Sequence, residues 1–84
     1  MGYLVEVLVK YKPGVLNPQG RVIEGAARNL GYKIENLDTG KYFSYVSKME
    51  DENTTKIEAL ALSNKLLANP VIERFNIVSI KKVK

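Results

Sequence analysis

The chain has 84 residues, a net charge of +4 and a hydrophobic fraction of 45%, and it contains neither cysteine nor histidine. This length predicts one domain over residues 1–84. The missing residue types exclude disulfides, thiolate metal sites, a cysteine nucleophile and histidine as a general base. The sequence has no apolar run of the about 20 residues that cross a bilayer and no secretory signal pattern, so we expect a cytoplasmic protein without a membrane segment.

The first predicted element is a strand over residues 3–11, because apolar side chains alternate there. One face is wholly apolar and is expected to meet the core. The other mixes leucines with charges and is expected to be partly uncovered, or covered by another chain. The first face carries Tyr3, Val5, Val7, Val9 and Tyr11, and the second carries Leu4, Glu6, Leu8 and Lys10.

A loop rich in proline and glycine, "KPGVLNPQG" at residues 12–20, leads into a predicted helix over residues 18–30. Its glycine spacing fits neither the P-loop nor the dinucleotide fingerprint. Asn17 fits a helix N-cap and Pro18 fits the first helical position. We therefore favour a structural corner, with an anion site at the helix N-terminus as the open alternative.

The helix after this loop has one apolar stripe, and Gly31 is expected to end it in the left-handed conformation. "YKIENLDTGKYFSYVSKM" then predicts two strands, over residues 33–38 and 41–49, with "DTGK" as the turn. Phe43, Tyr45 and Met49 are expected on one face of the second strand, and Tyr42 and Val46 on the other. The helix stripe consists of Val22, Ile23, Ala26, Ala27 and Leu30.

Residues 56–68 predict a second helix, with Thr55 and Glu58 as its capping box and Pro70 beyond its end. A last strand is predicted over residues 72–83, with Phe75 and Ile77 out of phase with Val78 and Ile80. The order β-α-β-β-α-β predicts an α+β, ferredoxin-like fold: a four-stranded antiparallel sheet with both helices on one face. The uncovered face would then be a self-association face, with Leu4, Leu8, Tyr42 and Val46.

The sequence offers no catalytic, cofactor-binding or metal-binding residues. Its carboxylates are dispersed, the acidic run at residues 50–52 is best read as a solvated loop, and no histidine is present to activate a serine. "GKYFSYV" at residues 40–46 departs from the RNA-recognition motif, and the basic tail with Lys81, Lys82 and Lys84 is read as solvated. We therefore expect no nucleic-acid partner.

Four stretches of the chain together resemble the PurS family, the small subunit of phosphoribosylformylglycinamidine synthase. They are "KPGVLNPQG" (12–20), "LGY" (30–32), "GKYF" (40–43) and "LLANPVIERFNI" (66–77), and they follow the family's order over nearly the whole chain. One departure is Asn17, where the family commonly has aspartate. Both residues cap helices, so we expect little consequence.

The resemblance implies a subunit of an ATP-dependent ligase that converts formylglycinamide ribonucleotide and glutamine to formylglycinamidine ribonucleotide in purine synthesis. A large PurL-like synthetase subunit would use ATP and magnesium, and a PurQ-like glutaminase subunit would release ammonia. This chain would bind no cofactor, would form a homodimer or homotetramer, and would support assembly and ammonia transfer. The candidate partner-docking loops contain Lys12, Pro13, Asn17, Pro18, Gln19, Asn69 and Pro70. A ferredoxin-like small-molecule sensor and an RNA-binding domain stay open as alternatives.

Overall fold

A three-stranded antiparallel sheet forms the centre of the chain in the computed structural model, which describes residues 2–83. The first strand lies between the other two, in the order β2-β1-β3. Two α-helices connect the strands. The elements are β1 (Gly2–Tyr11), α1 (Pro18–Asn29), β2 (Gly40–Ser47), α2 (Glu52–Leu62) and β3 (Glu73–Val83).

The core lies on one face of this sheet, under α2. Val5, Val7 and Val9 of the central strand are fully buried, as their alternation predicts. Ala59 of α2 and Ala68 beyond it close over these valines. Partly buried side chains from both outer strands and from the segment after α2 surround them, namely Phe43, Tyr45, Leu67, Phe75, Ile77 and Ile80.

The prediction that Ile80 lies out of phase with Phe75 and Ile77 is wrong. Ile80 pairs with Val5 and Ile77 pairs with Val7, although three positions separate the two isoleucines. The register shifts between Glu6 and Val7, so that β3 carries an extra residue at this point. This β-bulge restores the phase, and both isoleucines reach the core.

The predicted four-stranded ferredoxin-like sheet is also wrong, because residues 33–38 form no strand. Their backbone groups bind side chains of α1 instead of a neighbouring strand. The Leu37 amide donates to Glu24 (2.8 Å), Arg21 donates to the Leu37 carbonyl (3.0 Å), and Arg28 donates to the Ile34 carbonyl (3.0 Å). Asn36 has φ of 58°, which interrupts an extended backbone.

Helix α1 and the segment that returns from it, residues 18–39, form a unit that we call the arm. No residue of the arm belongs to the core cluster, so the prediction that both helices cover one sheet face fails for α1. The radius of gyration is 16.2 Å, whereas a compact chain of this length has about 12 Å. The three strands with α2 and its continuation, residues 2–11 and 40–83, are called the body.

Helix α2 begins earlier than predicted, because Asp51 and not Thr55 is its N-cap. The Asp51 carboxylate accepts from the Thr54 amide (2.8 Å), while buried Thr55 donates its hydroxyl to the Asp51 carbonyl (2.7 Å). Aspartate therefore outcompetes threonine as the cap.

After Leu62 the helix continues as a π-helical stretch, Ser63–Leu67, in which the Ala68 amide donates to the Ser63 carbonyl (2.9 Å).

The predicted basic tail is largely the end of a strand. Lys81 and Lys82 belong to β3 and pair with Leu4 and Tyr3 of the central strand. Lys84 lies outside the described residues. The backbone of these two lysines is therefore part of the sheet.

Candidate docking surfaces

Reactive groups do not converge in the described chain. Within residues 2–83, no three histidine, cysteine, aspartate or glutamate side chains are placed to hold a metal ion. In the same range, no helix combines the length and apolar character needed to cross a membrane. The surfaces that could bind other molecules are therefore the features to consider.

The two predicted docking loops lie together at one end of the sheet. Residues 12–17 leave β1 and residues 68–72 enter β3, and these strands are antiparallel neighbours with Tyr11 opposite Glu73. The Lys12 amide donates to the Ile72 carbonyl over 2.9 Å, which joins the loops directly. We call this combined surface, residues 12–17 and 68–72, the loop end.

Backbone hydrogen bonds fix the shape of the loop end. Gly14 has φ of +85°, a conformation that favours glycine, and the Val15 amide closes the turn on the Lys12 carbonyl (3.1 Å). In the second loop, the Asn69 side chain accepts from the Val71 amide (3.0 Å), and the Asn69 carbonyl accepts from the Glu73 amide (2.7 Å). The loops are therefore preformed, which lowers the entropic cost of docking.

Asn17 differs from the other residues proposed for docking because its side chain is buried and used within the chain. Its Oδ1 accepts from the Gly20 amide (2.9 Å), which confirms the predicted N-cap, with Pro18 at the start of α1. The same oxygen accepts from the Thr39 hydroxyl (2.9 Å), and Nδ2 donates to the Thr39 carbonyl (3.0 Å). Asn17 therefore ties the start of the arm to its end.

The remaining docking candidates are open to solvent. They do not bond one another through their side chains in the described part of the chain. These exposed residues are Lys12, Pro13, Pro18, Gln19, Asn69 and Pro70.

An ion pair between β2 and β3 lies next to the loop end. The Lys41 ammonium lies 3.2 Å from the Glu73 carboxylate, and the Asn69 amide donates to that carboxylate over 2.7 Å. The Asn69 hydrogen bond, with a smaller contribution from Lys41, lowers the pKa of Glu73. Glu73 is thus held ionised, and it links the second loop to β2.

The predicted self-association residues do lie on one sheet face. Leu4 is directly opposite Val46, and Leu8 is directly opposite Tyr42, in the β1–β2 register. Leu8, Tyr42 and Val46 are exposed and Leu4 is half-buried. Neither helix covers them, and we call this side of the sheet the open face.

A carboxylate stands in the middle of the open face. Glu6 accepts hydrogen bonds from the hydroxyls of Tyr42 and Ser79, one on each outer strand. These two bonds, that of Ser79 first, lower the pKa of Glu6, and the bond to Glu6 raises the pKa of Tyr42. The carboxylate therefore joins all three strands.

Sequence reasoning missed several exposed apolar residues near these surfaces. Val78, which has no partner at the bulge, is 52% exposed, and no alternation pattern indicates a bulge. Both helices were expected to lie on one sheet face, yet Val22 and Leu30 of the α1 stripe are 73% and 79% exposed. Leu16 and Val71 at the loop end are similarly exposed.

Comparisons with known proteins all match one family. The family model PurS, described as phosphoribosylformylglycinamidine (FGAM) synthase, matches residues 4–81. The phosphoribosylformylglycinamidine synthase subunit PurS of Methanocaldococcus jannaschii is 40% identical over 76 residues, covering 89% of this chain and 92% of the relative.

Solved structures agree with this match. PurS of Thermus thermophilus superposes with a TM-score of 0.90 and 33% identity, over 100% of both chains. A chain from the structure described as PurLQS from Thermotoga maritima gives a TM-score of 0.83 and 25% identity, over 92% of this chain and 96% of that one. With the family model matching almost the whole chain, this protein belongs to the PurS family of phosphoribosylformylglycinamidine synthase.

Proposed function

We propose that this chain is the small, non-catalytic subunit of phosphoribosylformylglycinamidine synthase in purine biosynthesis, acting in the cytoplasm. The observation that carries the proposal is the PurS match over residues 4–81. The similarity to a chain of the Thermotoga PurLQS structure supports two larger partners, a PurL-like synthetase subunit and a PurQ-like glutaminase subunit. The chemistry of the complex then belongs to those partners.

In this proposal the chain positions two active sites and performs no chemistry itself. The glutaminase subunit releases ammonia from glutamine. The synthetase subunit uses that ammonia with ATP and magnesium to convert formylglycinamide ribonucleotide to formylglycinamidine ribonucleotide, and ADP and phosphate are the other products. Holding the two sites together raises the effective concentration of ammonia at the second site, which is an entropic contribution to rate.

The preformed loop end is the surface that we assign to the larger subunits. Its backbone is fixed by hydrogen bonds, while Lys12, Pro13 and Pro70 remain exposed, as does Gln19 in the first turn of α1. Asn17 supports this surface from inside the chain. A rigid surface with exposed proline and lysine side chains loses little freedom when a partner binds.

The open face is the surface that we assign to self-association. Leu4, Leu8, Tyr42 and Val46 form two registered cross-strand pairs that no helix covers. Covering them with a second copy removes this apolar area from water. The exposed stripe of α1 adds apolar surface that a homodimer or homotetramer could also bury.

Reconstitution with the two larger subunits tests the main proposal. With this chain present we expect glutamine-dependent product formation, and without it we expect most of that activity to disappear while activity with added ammonia persists. The difference arises because free ammonia does not need transfer between sites. Full glutamine-dependent activity in the absence of the chain would contradict the proposal.

Light scattering on the isolated chain tests self-association. We expect a mass of at least two chains for the wild type and a lower mass for Leu8→Glu/Val46→Glu, since burying unpaired carboxylates is costly. Val22→Glu/Leu30→Glu, with the same charge change on α1, separates the contribution of the arm. An unchanged mass for the first variant, with native circular dichroism, would exclude the open face as the contact.

A further inference from the structure

Three cations converge where the open face meets the loop end. Lys10 of β1 lies directly opposite Arg74 of β3 in the sheet register. Lys12 follows at the start of the first loop, and all three side chains are exposed. Together with Pro13, Gly14 and Val15 they line one surface groove.

These cations are not neutralised by the chain itself. Among residues 2–83, Lys10, Lys12 and Arg74 form no ion pair, although the nearby cations Arg21 and Lys41 do. The neighbouring acids are already engaged elsewhere. Glu73 binds Lys41 and the Asn69 amide, and Asp38, which lines the groove together with the cations, lies 3.8 Å from Arg21.

The placement of Lys10 opposite Arg74 costs stability in the isolated chain. Like charges directly opposite on neighbouring strands repel each other, and exposure reduces this cost without removing it. An anionic group in the groove would convert this repulsion into attraction toward both side chains. The charge arrangement therefore fits a bound partner better than it fits the free chain.

The surroundings of the groove indicate a protein partner and not a small anion. Its cations are solvent-exposed, and such charges hold a free ion weakly. The adjoining loop end presents apolar side chains, with Leu16 69% and Val71 77% exposed. Apolar contact beside a charged patch is typical of protein interfaces, in which complementary charge steers association.

We propose that the groove lined by Lys10, Lys12 and Arg74 receives an acidic segment of one of the larger subunits. This inference rests on the proposed function, because it names the chemistry of the partner at the loop end. The Lys12–Ile72 hydrogen bond and the Gly14 turn fix the backbone around Lys12 before binding. Leu16 and Val71 of the loop end then pack beside the acidic segment.

The test compares affinities for the purified synthetase and glutaminase subunits by calorimetry. Lys10→Gln/Arg74→Gln removes two charges from the groove, and we expect it to weaken binding to one subunit about tenfold at low salt. Wild-type affinity is expected to fall as salt is raised, and the variant is expected to lose much of this dependence. Lys48→Gln/Lys56→Gln, two exposed lysines away from the groove, is the matched control and is expected to bind within about twofold of wild type.

The thermal stability of the free variant separates docking from a structural role. Because repulsion is removed, Lys10→Gln/Arg74→Gln is expected to melt at or above the wild-type temperature while it binds more weakly. Equal affinity of this variant and the control would overturn the inference, as would tighter wild-type binding to single-stranded polyuridine than to either subunit. Failure of wild type and control alike to bind either subunit would instead overturn the proposed function, and this inference with it.

Discussion

The body and the arm are held together by different interactions. The body buries Val5, Val7 and Val9 between two strands and α2, so burial of apolar surface dominates its stability. The arm contributes nothing to that core. It is held by side-chain hydrogen bonds: Asn17 donates to the Thr39 carbonyl and Glu24 accepts from the Leu37 amide. One short chain thus combines a cooperative core with an extension fixed by a few polar contacts.

The largest effect is expected from Val7→Ala in the body. Losing two buried methyl groups and leaving a cavity should lower the free energy of unfolding by about 2–3 kcal/mol. Urea denaturation followed by circular dichroism measures the change. Val22→Ala, the same substitution on the exposed stripe of the arm, should change it by about 0.5 kcal/mol or less. Similar losses for the two variants would refute the distinction between body and arm.

A smaller and local effect is expected from Asn17→Ala. The substitution removes the N-cap of α1 and both bonds to Thr39, which should cost about 1–2 kcal/mol. Amide hydrogen exchange should therefore accelerate for α1, beginning with Gly20, while the amides of β1 retain most of their protection. Asn29→Ala at the other end of α1 is the control. Uniform acceleration throughout the chain would show that the arm and the body open together.

A still smaller effect is expected from Lys41→Met, which breaks the ion pair beneath the loop end. Lys41 is half exposed, so the loss in unfolding free energy should be about 0.5 kcal/mol. Thermal melts at low and high salt measure it, and the wild-type advantage should shrink as salt is raised. Lys48→Met is the control. A loss as large as that of Val7→Ala would show that the pair is an essential part of the body.

The smallest expected effect is the loss of stability in acid that follows protonation of Glu24. The hydrogen bond from the Leu37 amide, followed by Arg21 and Arg28, lowers the pKa of Glu24 in the folded arm. Its stabilisation is therefore present above the ordinary glutamate pKa and is lost as the pH falls through the lowered value. The Leu37 amide proton shift should titrate below the ordinary glutamate range, and Glu24→Gln should abolish that titration. A titration at the ordinary value would contradict the hydrogen bond.

The sequence predicted the elements whose patterns are local. Alternation gave the buried face of β1, and Asn17 with Pro18 gave the start of α1, because each pattern has one direct structural cause. The four residues assigned to the open face also proved to share one face. These predictions needed no knowledge of which distant segments pair.

The failures involve competition between distant partners. Residues 33–38 were predicted to be a strand, but Glu24 and Arg21 occupy the backbone groups of Leu37 that a neighbouring strand would need. Ile80 reaches the core only because of the bulge in β3. The cation groove combines Lys10 with Arg74, which are 64 positions apart in the numbering, so strand pairing had to be known first.

The π-helical stretch at Ser63–Leu67 has a consequence for insertions and deletions. A π-helical turn accommodates one residue more than an α-helical turn, and such turns usually occur singly within α-helices. Deleting exposed Asn64 would let the turn close as an ordinary α-helix while Ala68 still follows it into the core. We expect this segment to tolerate a change in chain length by one residue that the buried strands would not.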